Sequence, residues 1–182
     1  MPAVTIRPAA EADLPAITVI YDRDVRHGTA TFELTSPDLA EMTRRFRALV
    51  DGGFPYLAAQ LDGKVIGYAY AGPYRPRPAY RFTVENSVYL APQVHRQGIG
   101  SQLLQRLIDD CVTRNYRQMI AVIGDSANAG SIGLHSRAGF QMIGTHPDVG
   151  FKFGRWLDTV MMQRALGEGA ATVPTNGGET GR

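Results

Sequence analysis

One cysteine, Cys111, in 182 residues rules out an intramolecular disulfide framework and makes a reducing compartment the simplest expectation. No uninterrupted apolar run reaches the roughly 20 residues that a membrane helix needs. The opening Met1-Pro2-Ala3-Val4-Thr5-Ile6-Arg7 has no basic leader followed by an apolar stretch, so a cytoplasmic protein with no membrane partner is expected. Charge of one sign is also scarce: 19 Lys and Arg against 17 Asp and Glu leave +2, too little to argue for nucleic acid. The histidines, His27, His95, His135 and His146, show no metal-ligand spacing, and no metal site is expected. A P-loop GxxxxGK[ST] is missing, and only two glycines of the GxGxxG dinucleotide spacing are present. What remains is ordinary for a soluble globular chain, 44% hydrophobic and 20% charged, with local clusters of arginine as the informative charge feature.

Residues 1–166 read as one α/β domain. Val4 to Arg7 alternates as a short strand, and from Ala10 a helix follows, with Ile17, Ile20 and Tyr21 at helical spacing. Thr29 to Leu34 reads as an extended loop. Ser36-Pro37-Asp38 then reads as a cap with proline at the first helical position, leading into Leu39, Met42, Phe46 and Leu49 and ending at Gly52-Gly53. Tyr56–Leu61 and Lys64–Tyr70 flank Asp62-Gly63 as a hairpin. The proline-rich Gly72 to Tyr80 should be a loop, and Arg81 to Leu90 a further strand. Leu103, Leu104, Leu107, Ile108, Cys111 and Val112 mark an amphipathic helix, which makes Cys111 core rather than nucleophile. Met119–Ile123 is a buried strand and Asn128 to Phe140 a short helix ended by Gly139; Gln141–Thr145 and Trp156–Arg164 are the last strands. Gly167 to Arg182, with almost no apolar anchor, is expected to be a disordered tail.

Three stretches could carry chemistry. His95 to Ser101 contains Arg96-Gln97-Gly98-Ile99-Gly100, a turn whose glycines let backbone N–H groups approach a phosphate at a helix start, or else a strand-to-helix turn with no ligand. Glu85 sits on a strand where alternation groups it with Thr83 and Ser87. A carboxylate there is costly unless solvated, ion-paired with an arginine, or used as a general base. The segment Tyr74-Arg75-Pro76-Arg77-Pro78-Ala79-Tyr80-Arg81 is either a solvated basic loop or an anchor for a small anionic substrate. With no activated nucleophile in view, direct attack of one substrate on the other is favoured over a covalent enzyme intermediate.

Four pieces together resemble the GCN5-related N-acetyltransferases, and within them the phosphinothricin and methionine sulfone/sulfoximine acetyltransferases. They are Thr83 to Leu90, Arg96 to Gly100, Asn128 to His135, and Phe151-Lys152-Phe153-Gly154-Arg155-Trp156-Leu157-Asp158. The resemblance implies a central, mostly antiparallel mixed sheet splayed in the middle, flanked by helices, and a homodimer. It implies acetyl-CoA as co-substrate, held by the backbone of Val88, Tyr89 and Leu90, by Arg96, Gln97, Gly98, Ile99, Gly100 and Ser101, and by Asn128 and Ser131. It implies Glu85 as general base, a small amino acid held by Tyr74, Arg75 and Arg81, and Phe32 closing the pocket. His95 stands where the family usually has Gln or Arg. Many members have a tyrosine acid where this chain, like the phosphinothricin-type enzymes, has His135, for which the resemblance offers a thiolate or substrate contact. Two further readings stay open: transfer to another small amine, such as a polyamine or aminoglycoside, and a non-catalytic acyl-CoA sensor. The arginines argue against a cationic substrate, and Glu85 argues against a sensor.

Overall fold

A computed structural model of the chain describes residues 4–174. In order along the chain are β1 (Thr5–Pro8), α1 (Leu14–His27), α2 (Leu39–Asp51), β2 (Tyr56–Leu61), β3 (Lys64–Pro73), β4 (Thr83–Leu90), α3 (Ile99–Thr113), β5 (Gln118–Gly124), α4 (Ala129–Arg137), β6 (Gln141–Lys152) and β7 (Arg155–Ala165). The strands form one mixed sheet in the order β1-β2-β3-β4-β5-β7-β6. Every pairing is antiparallel except β4 with β5. The β2–β3 hairpin turns on Asp62 and Gly63, both with positive φ (+48° and +78°), the two-residue turn whose twist matches the strands it joins.

Two faces of the sheet are covered. On one lies α3, whose Leu103, Leu104, Leu107, Ile108 and Cys111 are buried, while Val112 falls off the stripe and is 41% exposed. Burial pushes the Cys111 thiol up to about 12, as suits a core residue. On the other lie α1, burying Leu14, Ile17, Ile20, Tyr21 and Val25, and α2, burying Met42 and Phe46. Each large side chain fully buried this way contributes about 1.5–3 kcal/mol. Among the described residues no helix is long and apolar enough to cross a membrane.

Several boundaries differ from the sequence reading, each for a local reason. The N-cap of α2 is Asp38, whose carboxylate accepts from the Glu41 N–H at 2.8 Å, so Pro37 precedes the helix rather than opening it. Strand β3 runs on through Gly72 and Pro73, opposite Glu85 and Val84, so the proline-rich loop begins only at Tyr74. Strand β6 is an edge strand that continues to Lys152 across a register shift between His146 and Gly150, which accommodates Pro147. Residues 167–174, expected to be disordered, make turns: Gly169 N–H donates to Leu166 O, and the Thr172 hydroxyl accepts from Arg117. The remaining tail, 175–182, lies outside the described residues.

Candidate active site

Strand β4 organises the site because its two neighbours part company along it. Its pairing with β5 runs only from Thr83↔Gln118 to Asn86↔Ala121, while its pairing with β3 continues to Leu90. Beyond Asn86 the sheet is therefore open on the β5 side. Backbone groups alternate along a strand. Thr83 O accepts from Tyr74 N and Ala91 N donates to Ile66 O, so odd-numbered residues bond toward β3. Phe82 O accepts from Arg117 N, so even-numbered ones bond toward β5. Val88 and Leu90 thus direct their backbone groups into the opening. The His95 imidazole reaches back to Leu90 O, its Nε2 at 3.2 Å.

Side chains of β4 divide between the faces. Tyr89 stacks on Tyr68 and meets the edge of Tyr21, so Ser87 and Glu85, two and four residues away, share the α1/α2 face. Asn86, on the opposite face, meets α4.

At the start of α3, Arg96 (φ +61°) and Gly98 (φ +79°) take left-handed conformations. Gly98 is the N-cap and has no capping side chain; the first helical bond is Gln102 N–H to Gly98 O at 3.1 Å. The N–H groups of Ile99, Gly100 and Ser101 are therefore free of helical acceptors at the positive end of a 15-residue helix. Nothing lies within 4 Å of where a Gly98 Cβ would stand, whereas a Cβ on Gly100 would come 3.3 Å from Leu90. Gly98 thus opens the cradle and Gly100 lets α3 close onto β4. Arg96, Gln97 and Ser101 are exposed around it, with the Gln97 amide donating to Gln93 O. Asn128 caps α4, its Oδ1 accepting from Ser131 N at 3.1 Å.

His135 is 4% exposed and both of its ring nitrogens are taken. Nδ1 lies 2.8 Å from Ser131 O, which can only accept, so it carries the proton. Nε2 lies 2.8 Å from the Asn86 amide. Burial holds the ring below the usual histidine range, which favours the neutral form and makes Asn86 the donor. The thiolate or substrate contact expected of His135 finds no free nitrogen.

Glu85 is half-buried and, among the described residues, forms no ion pair, so the structural-pair alternative does not hold. Burial raises its pKa and the nearby Arg75 charge opposes that rise. Arg75 and Arg81, grouped by the sequence, make different contacts. Arg75 lies over the Tyr74 ring at 5.1 Å and acts on Glu85, while Arg81 stacks on Phe82 at 4.6 Å and donates to Pro78 O. Phe32, 36% exposed in the α1–α2 loop, rests on Gly124 of β5 and Gly150 of β6.

Sequence reasoning missed the residues that complete this face. Tyr21, Arg45, Leu49, Tyr56, Tyr68 and Tyr70 line a cavity of about 290 Å³. Burial raises the Tyr70 pKa; the neighbouring Ser87 and Arg45 lower it and Glu85 and Glu33 raise it. Arg45 pairs with Glu33 at 2.5 Å, and Glu33 accepts from the Tyr21 hydroxyl at 3.0 Å. The available signal was the alternation of Tyr68 and Tyr70 opposite Tyr89 and Ser87. A larger cleft of about 780 Å³, lined by Gln118, Arg137, Gln163 and Arg164, contains none of these residues. Among the described residues no group of three or more His, Cys, Asp or Glu is placed to hold a metal ion.

Residues 6–161 match the family described as the acetyltransferase (GNAT) domain. The chain belongs to this GNAT acetyltransferase family. It is 54% identical over 172 residues to a phosphinothricin N-acetyltransferase of Alcaligenes faecalis, covering 94% of this chain and 87% of that one. It is 45% identical to an L-methionine sulfoximine/L-methionine sulfone acetyltransferase of Pseudomonas paraeruginosa, covering 90% and 95%. Among solved structures, a phosphinothricin acetyltransferase from Sinorhizobium meliloti in complex with AcCoA superposes with a TM-score of 0.93 at 51% identity, covering 96% and 94%. The protein is thus a GNAT N-acetyltransferase, and the parting of β4 from β5 is the opening its family fold implies.

Proposed function

We propose that this GNAT enzyme transfers the acetyl group of acetyl-CoA to the α-amine of a small anionic amino acid such as phosphinothricin, methionine sulfone or methionine sulfoximine. The observation that carries the reading is Glu85, a half-buried carboxylate with no ion pair among the described residues, three residues before the backbone that faces the opening. Backbone groups of Val88 and Leu90 offer strand-like partners to a pantetheine amide, Tyr89 packs beneath them, and the free N–H groups of Ile99 to Ser101 suit a pyrophosphate. Arg96 and Gln97 flank that cradle, and Asn128 and Ser131 complete it from α4. That the named relatives act on such amino acids, and that one is bound to AcCoA, supports the assignment.

Glu85 accepts a proton from the substrate ammonium, directly or through water; its raised pKa makes it a better base than an exposed carboxylate. The freed nitrogen lone pair attacks the thioester carbonyl, and the Val88 N–H donates to the developing oxyanion. Carbon–sulfur cleavage releases CoA thiolate as the amide forms, and the nitrogen's second proton passes to that thiolate, giving CoA thiol. Arg75, with Tyr74 beneath it, anchors the substrate carboxylate. Arg81 belongs to the same basic rim, and Phe32 forms the far wall. Phe151, Phe153 and Trp156, each more than half exposed on the β6–β7 hairpin, support a homodimer, which light scattering on the purified chain tests.

The test follows CoA thiol release with phosphinothricin, methionine sulfone, methionine sulfoximine, spermidine and an aminoglycoside. Turnover of the first three is expected. Turnover of only the two cations would overturn the anionic substrate, and tight acetyl-CoA binding without release would support a sensor.

A further inference from the structure

Lys152 is one of two lysines in the sequence, and it is buried, at 3% exposure. It belongs to the Phe151-to-Asp158 stretch, yet neither the cofactor cradle nor the general base uses it. Its Nζ donates to Gly28 O and to Thr31 O, both at 2.8 Å, spanning 124 and 121 residues of chain. It also lies 5.0 Å from the centre of the Phe153 ring. Gly28 is the C-cap of α1, where helix carbonyls need donors and a cation is favoured. A compact ammonium can serve two carbonyls that diverge from one point; a planar guanidinium distributes its donors differently. Asp24 and Glu33 are the carboxylates whose charges act on it.

Between those two anchor points and Glu33 the chain carries Phe32. The ring stands where side chains on two glycines would be: a Cβ on Gly150 would come 2.3 Å from it, and one on Gly124 would come 2.8 Å. Gly124 ends β5, the arm of the sheet across the opening from β4. Tyr21 also holds this segment, through a 2.9 Å bond with the Thr31 hydroxyl. The loop is therefore fixed by an ammonium on its carbonyls and by two bare strand positions under its aromatic ring.

We propose that Lys152 is a positioning residue for the acceptor amine, holding Gly28 to Thr31 so that Phe32 forms the substrate wall. Lys152 then controls the KM of the amine and not that of acetyl-CoA. This rests on the acetyltransferase reading above, with Phe32 on the acceptor side.

The test compares the full-length wild type with Lys152→Met and Gly150→Ala, by steady-state kinetics in both substrates and by amide hydrogen exchange. Lys152→Met should raise the amine KM tenfold or more, leave the acetyl-CoA KM within twofold, and speed exchange at residues 29–33 but not in β4 or α3. Gly150→Ala keeps the ammonium but displaces the ring, so it should raise the amine KM in the same way. If Lys152→Met does not fold, Lys152→Arg, which keeps the charge but spreads its donors over a planar guanidinium, takes its place with the same readouts. An unchanged amine KM in Gly150→Ala, parallel rises in both KM values, or accelerated exchange across the whole sheet would each overturn the proposal. Failure of the functional reading looks different, since the wild type would then release no CoA with any amine. Exchange at 29–33 in Lys152→Met would still decide whether the ammonium holds the loop.

Discussion

The Asn86 amide nitrogen lies 2.8 Å from Nε2 of His135, and Asn86 Oδ1 is buried with no partner among the described residues. The pair joins the last β4 residue still paired to β5 with the helix that follows β5. The pair thereby ties β4 to α4 at the edge of the opening. His135→Phe would strip the remaining partner from a buried amide, a loss of about 1–3 kcal/mol. Thermal denaturation should show a Tm lower by several degrees, while kcat falls by less than about tenfold. A hundredfold loss of kcat with an unchanged Tm would return His135 to the chemistry.

Glu85→Gln should lower kcat by about 10²–10⁴-fold and leave acetyl-CoA binding within about twofold, as measured by turnover and equilibrium titration. The base must be ionised, and burial raises its pKa, so wild-type activity should climb with pH through a value above the ordinary carboxylate range. For stability the sign is opposite: a carboxyl with a raised folded pKa binds protons more tightly folded than unfolded, so acidification through that window favours folding. Glu85→Gln should be more stable than wild type near neutrality, with the gap closing as pH falls. A gap that widens toward acid would contradict the raised pKa.

Arg75→Ala should raise the amine KM by about 10–100-fold, the worth of a charge-assisted contact, with little change in kcat. It should also move the acidic limb of the pH–rate profile to higher pH, because the Arg75 charge restrains the rise of Glu85. Arg81→Ala, whose guanidinium stacks on Phe82, should change the amine KM less. Equal effects of the two would show that the loop rearranges on binding.

Gly98→Ala should cost about 1–2 kcal/mol, because its φ of +79° strains any residue with a Cβ although the space around it is open. The expected kinetic sign is a raised KM for acetyl-CoA with the amine KM unchanged. A selective effect on the amine would move the pyrophosphate away from this turn.

The helix at Ile99 and its glycine-opened start, the hairpin at Asp62-Gly63, and the face on which Glu85 stands were all legible, because each depends on residues within a turn or a strand period of one another. The proline-rich segment was read less well. Gly72 and Pro73 extend β3 because β4 supplies them partners, which no local propensity encodes. The same limit applies to β6, where a register shift carries the strand past Pro147 to Lys152.

By itself the sequence determined the local form of one continuous stretch, a carboxylate on a strand followed by a glycine-opened helix start, since strand alternation and left-handed glycine are local physics. Only the tertiary structure decided what surrounds it. Packing gave Arg75 and Arg81 different aromatic partners, closed His135 onto Asn86, brought Arg45 and Glu33 to Tyr70, and set Lys152 under a loop more than 120 residues away. Those contacts follow from how α1, α2 and the β6–β7 hairpin meet across the sheet, and a buried cation or amide finds its partner only when that packing is complete.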